Sequence, residues 1–252
     1  MPFDRQAVAA LRKRMLAEAC PTTELAAAAR SLADAARSAG DVGGEFEALY
    51  LLLTLLAWQG AVEEAAALLD RLQAVDPEHP AGFALKAEFA RLAGDRREAR
   101  LHCEDGWPFA ERAPQSEGSG LLLGCWAWAT ADPERFEWCV ETGNELDVAD
   151  RLTDLDIIAF HGHVADAALD VEDWDLAIEQ ANVVAKAFPR EAVPPLAEFL
   201  RQRTLALYYA GIGEFDRELV ELLRNLVAQA ERNGWTAWLP ALDAALALAP
   251  EA

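Results

Sequence analysis

Along this chain apolar residues recur every three or four positions in stretches of 11 to 18 residues, each closed by glycine, proline or an acidic corner. That period predicts helices near 4–18, 22–38, 45–58, 62–75, 80–93, 96–105, 118–130, 133–148, 152–169, 174–187, 194–211, 215–232 and 236–248. Pro21 and Pro133 take first-turn positions, Gly40, Gly60, Gly94, Gly213 and Gly234 follow apolar runs, and Pro77 and Pro189 stop helices. No stretch alternates β-branched and polar residues as a half-buried strand would, so the fold class is all-α. One segment, Gly106-Trp107-Pro108 through Gly120, reads as a loop and a candidate hinge inside one domain spanning residues 1–252.

The helices come in pairs. Gln59-Gly60-Ala61-Val62-Glu63-Glu64-Ala65 and Ala93-Gly94-Asp95-Arg96-Arg97-Glu98-Ala99 follow one pattern, with their glycines 34 residues apart. From Phe46 to Pro77, Leu49, Leu52, Leu53 and Leu56 form the core of a first helix, Gly60 the turn, Ala65, Leu69 and Leu72 the second helix, and Pro77 the end. This unit resembles the tetratricopeptide repeat. Phe83, Ala87, Gly94, Ala99 and Cys103 continue the resemblance, with Lys86 where an apolar residue is usual. Later corners, Ala131-Asp132-Pro133, Glu172-Asp173-Trp174 and Gly213-Glu214-Phe215, follow a looser period of 41.

The resemblance implies a right-handed α-solenoid of about six antiparallel helical hairpins plus a C-terminal capping helix, with a concave face, built from first helices, that holds another protein. It places Glu47, Tyr50, Thr54 and Trp58, then Ala84, Glu88 and Arg91, then Gly162, Asp166 and Asp170 on that face. Family members that clamp a peptide's terminal carboxylate use lysine and asparagine there, and this chain does not, so such a clamp is not expected. Trp126 and Trp128 lie two apart on one helix and cannot share an interface, so one of them lines a groove. Tyr50, Trp58 and Trp128 are the expected apolar anchors.

Charge changes the choice of partner. With 22 basic and 43 acidic residues the net charge is −21, which opposes direct contact with nucleic acid or anionic lipid. Between Asp132 and Asp175 only Arg135 and Arg151 interrupt a long series of carboxylates. A basic protein surface or segment is the expected partner, and the same charge keeps a leucine- and alanine-rich array dispersed.

The search for chemistry returns few candidates. The chain carries no phosphate-binding glycine loop, nucleophile elbow or His-Glu-x-x-His unit. His161 and His163, two apart on a helix, point in different directions, although His163 and Asp166 share a face. No catalytic residue, metal or cofactor is therefore assigned. Cys20, Cys103, Cys125 and Cys139 form no Cys-x-x-Cys unit and fit buried, reduced thiols. The apolar run Leu49–Trp58 is too short to cross a bilayer, and Asp4, Arg5, Arg12, Lys13 and Arg14 make the first helix amphipathic. The expectation is a non-enzymatic cytoplasmic interaction module, an adaptor, regulatory subunit or inhibitor that binds a peptide, a helix or a basic protein surface through its concave face. Two alternatives stand beside it. An acidic DNA-mimic inhibitor requires paired rows of exposed carboxylates. A helical ligand receptor or enzyme requires a closed pocket with polar groups converging near His161, His163 and Asp166.

Overall fold

The structure is a computed structural model that describes residues 3–18, 20–189 and 192–249. Among these the fold is all-helical: α1 (Arg5–Ala17), α2 (Thr22–Ala39), α3 (Val42–Trp58), α4 (Val62–Val75), α5 (Pro80–Leu92), α6 (Arg96–Arg112), α7 (Ser119–Ala129), α8 (Pro133–Val148), α9 (Asp154–Asp170), α10 (Trp174–Lys186), α11 (Pro195–Gly211), α12 (Arg217–Asn233) and α13 (Leu239–Ala247). One turn of 3-10 helix, Thr236–Trp238, precedes α13.

Helix starts follow the capping chemistry in the sequence. Asp41, Asp95, Asp132, Thr153, Asp173 and Asp216 each accept a backbone N–H from the first turn of the helix they open. Between paired helices the corner residue takes a left-handed conformation: Gly60, Gly94 and Gly213 do so freely. Glu172 fills the corresponding corner with φ 60°, where its side chain makes the conformation costly, about 1 kcal/mol or more.

The stretch expected to be a loop is shorter than its composition suggests. Helix α6 continues through Gly106, Trp107 and Pro108 to Arg112, and α7 begins at Ser119. Gly106 serves close packing: a Cβ there would lie 2.5 Å from Phe83 Cβ. Trp107 packs edge-on against Trp126 and Trp138. This packing holds the helix across a proline whose interior placement alone costs about 3 kcal/mol. Gly118 is a true turn position, with φ 91° and Ala81 backbone 2.5 Å from where a Cβ would sit.

Each helix packs on its neighbours in the chain, and α3, α5, α7, α9 and α11 also pack in sequence on one another as an inner row. Helix α3 is buried nearly all round, and so is α7, as their continuous apolar runs require. Ala65 and Ala99 are both fully buried at equivalent places in α4 and α6. The ends of the array then meet. Helix α1 touches α11, and the 3-10 turn touches α3. Thr22 Oγ1 donates to the Gly234 carbonyl at 3.0 Å, and Thr236 Oγ1 to the Gln59 carbonyl at 2.6 Å. Leu16 and Trp58 bridge the apolar core of α1–α9 to that of α11–α13. These contacts cover one side of the inner row. No helix among the described residues is long and apolar enough to cross a membrane.

Candidate functional site

Enclosure decides where the expected binding residues lie. Tyr50 and Thr54 of α3, Glu88 of α5, and Gly162 and His163 of α9 do converge, but around an interior cavity of about 40 Å³. Leu85, Leu121, Leu155, Leu196, Leu200, Trp58 and Trp238 complete its wall, so the space suits water-sized occupants. Tyr50 is 2% exposed and Glu88 5%, which corrects the expectation that they meet a protein partner directly. Thr54 is buried too, its hydroxyl donating to the Tyr50 carbonyl at 2.9 Å. The physical reason is the seam between Thr22 and Gly234 and between Gln59 and Thr236, which closes the face that an open array would present.

At one side of the cavity sits a buried charged cluster. Arg91 holds both Glu88 oxygens, Nε to Oε2 at 2.7 Å and Nη2 to Oε1 at 2.8 Å. His163 Nε2 lies 2.9 Å from Glu88 Oε2, and the Cys125 thiol approaches the same oxygen at 3.4 Å. Burial works to raise the Glu88 carboxyl, but the charge of Arg91, with His163 beside it, holds it well below the usual carboxylate range. Burial pushes the Cys125 thiol up. Glu88, Cys125 and His163 each offer one metal-ligating atom, all within 4.8 Å of one another. The sequence reading missed this set. It weighed His163 against neighbours on its own helix, whereas the partners stand at facing places on α5 and α7. Their signal is the repeat interval, 37 residues from Glu88 to Cys125 and a similar step from Cys125 to His163.

His161 points elsewhere, as residues two apart must. Its Nδ1 faces Gln180 Oε1 at 2.6 Å and its Nε2 faces Asp147 Oδ2 at 3.2 Å. Asp166 pairs with buried Arg203 of α11. Glu47 stands apart at the α1 end, in a recess with Arg12, Lys13, Asp154 and Phe188.

The remaining expected residues meet at the outer edge. Trp128 near the end of α7 and Asp170 at the end of α9 are joined by Arg96, which opens α6. Arg96 Nη2 donates to Asp170 Oδ2 at 2.8 Å, Nη1 donates to the Trp128 carbonyl at 3.0 Å, and the guanidinium carbon lies 4.7 Å from the indole centroid. Ala131, Pro133, Phe136 and Val171 extend this into a groove of about 250 Å³, with Val171 68% exposed. Asp132 lines the groove, and Asp170, Glu172 and Asp173 lie exposed at the corner where α9 ends. Trp126 turns the other way, buried with Trp107 and Trp138 and covered by Arg135. On α8, Glu134, Glu137, Glu141 and Glu145 form one exposed row.

Comparison with known proteins adds no further constraint. No protein-family model matches the chain, and no curated protein matches its sequence.

Proposed function

We propose that this protein is a non-enzymatic interaction module that grips a basic segment or surface of another protein in the outer groove at Trp128, rather than in the enclosed face of its inner helices. The observation that carries this reading is the groove itself: an indole, a phenyl ring and an exposed valine beside Asp132, Asp170, Glu172 and Asp173. Apolar anchors in such a recess supply most of the binding energy, and surrounding charge speeds encounter and selects the partner's sign. The net charge of −21 makes the complementary partner basic. The reading includes a right-handed tetratricopeptide-like array of about six hairpins, working in the cytoplasm as an adaptor, regulatory subunit or inhibitor. Cysteines that remain unpaired among the described residues agree with a reducing compartment. The DNA-mimic alternative calls for paired carboxylate rows, of which α8 supplies one.

The test is affinity capture from the source cell extract, followed by titration of the captured chain. The chain retained by the native protein should be lost with Val171→Lys, which replaces an exposed apolar contact with a charge of the partner's own sign. Trp128→Ala should weaken the complex by about 2 kcal/mol, mainly through faster dissociation. Rising salt should slow association, since exposed charges are screened over about 8 Å at physiological ionic strength. Unchanged affinity in Val171→Lys, in protein of native helicity, contradicts the groove.

A further inference from the structure

We propose that Glu88, Cys125 and His163 form a binding site for a thiophilic divalent metal ion of the zinc type, with its fourth coordination position facing the interior cavity. The reading is independent of the outer groove. The three donors are a carboxylate, a thiol and an imidazole supplied by α5, α7 and α9, all buried. Sulfur and imidazole together favour zinc or cobalt over magnesium or calcium, which prefer oxygen alone.

Two features separate this cluster from an ordinary buried ion pair. His163 Nε2 approaches Glu88 Oε2 at 2.9 Å, yet it satisfies no hydrogen-bond geometry and has no other partner, although the residue is 94% buried by its 6% exposure. Distance alone makes this an ion pair, and the angles do not support a hydrogen bond; the angles matter more, because a bond far off axis contributes little. A nitrogen and an oxygen this close and not aimed at each other can direct their lone pairs to a common third point. The second feature is the spacing. Zinc bond lengths of about 2.0–2.3 Å place tetrahedral ligand atoms about 3.3–3.8 Å apart. The observed separations are 2.9 Å for His163 to Glu88 and 3.4 Å for Cys125 to Glu88, with the Cys125 and His163 donors within 4.8 Å, so rotations of these side chains bring the three donors to that spacing.

Arg91 does not block the site. A carboxylate has about four lone-pair positions, and Arg91 takes one on Oε2, leaving the other to the Cys125 thiol, which vacates it on losing its proton. Arg91 is instead a positioning residue, fixing the carboxylate as outer partners of metal ligands do. Gly162, beside His163, lines the cavity with Tyr50 and Thr54, and about 40 Å³ accommodates a water as the fourth ligand. Binding releases the thiol proton of Cys125, and any proton on His163 Nε2, to solvent, leaving thiolate and neutral imidazole on the metal.

Cobalt(II) is the probe, added to full-length protein freed of metal by chelation and kept under a non-thiol reductant. One equivalent should produce a thiolate-to-cobalt charge-transfer band together with intense tetrahedral d–d bands, both removed by added zinc. Cys125→Ala should lose the charge-transfer band with its helical circular dichroism intact, and Cys139→Ala should keep it. His163→Gln should weaken cobalt affinity at least about tenfold at unchanged helicity. Cobalt spectra lacking a thiolate band at saturation, a band that survives in Cys125→Ala, or full affinity in His163→Gln overturns the assignment.

Discussion

Two arginine–carboxylate pairs of similar bond length sit in opposite surroundings. Arg91 with Glu88 lies on the inner row, where the side chains are 11% and 7% exposed; Arg96 with Asp170 lies at the edge, at 49% and 48%. Arg91 makes two bonds to Glu88 and Arg96 one to Asp170, each about 2.7–2.8 Å, so bond length does not distinguish them. Solvent does. At the edge, water and salt compete with the pair and leave it about 0–1 kcal/mol. In the interior little water competes, and removing either charge would leave the other buried without its counter-charge, which is costly. Enclosure therefore gives the inner residues a structural and ligating part, and leaves recognition of large partners to the edge.

The largest way to break this comparison is to delete the two carboxylates separately. Glu88→Ala leaves Arg91 buried without its counter-charge and should cost about 3–5 kcal/mol, whereas Asp170→Ala should cost about 0–1 kcal/mol. Denaturant unfolding of the two variants measures both. Equal losses would mean that the inner row is wet and the enclosure incomplete.

A smaller effect sharpens how tightly the helices meet. Ala65 is fully buried in α4, and Ala65→Leu should overpack the contact between α4 and its neighbours by about 1–3 kcal/mol. A neutral outcome would place a void there that the packing does not contain.

The smallest effect is pH-dependent and concerns how α5, which carries Glu88 and Arg91, is started. His79 accepts the Ala81 N–H at Nδ1, at 3.2 Å, and burial holds its pKa below the ordinary value. The folded state thus favours the neutral ring. Stability from this cap is complete above the unfolded pKa of about 6.5, and declines as pH falls toward the lower folded pKa. The loss should be about 0.5–1 kcal/mol, the worth of an N-cap. His79→Asn keeps an acceptor without titrating, so the stability difference between native protein and variant should change over this window. A constant difference would show that the ring does not cap α5.

Much of this fold was legible in the sequence, because helix starts and stops are local chemistry. Asp95 and Asp173 stand at the corners and cap the helices that follow, Gly60 and Gly94 mark corners, and periodic leucine and alanine need little else. The stretch from Gly106 to Arg112 misled for the converse reason: glycine and proline normally break helices, but here Gly106 admits Phe83 and Trp107 locks onto Trp126 and Trp138. The sequence set Tyr50, Thr54 and Glu88 on one face, and they line one cavity. Their closure was not legible there, because it rests on contacts such as Thr22 to Gly234, 212 residues apart and outside any period. Of the candidate site, Trp128 and Asp170 were named from the sequence, while Arg96, which joins them, lay in a turn motif read only as punctuation.

Small-angle scattering of the monomer tests the enclosure most directly, since it distinguishes a closed array from an extended one without any substitution. For 252 residues packed into one closed body the radius of gyration should be about 18 Å. A monomer value of about 22 Å or more would describe an open superhelix, return Tyr50, Thr54 and Glu88 to a surface that a partner can reach, and contradict the division between a sealed inner row and a binding edge.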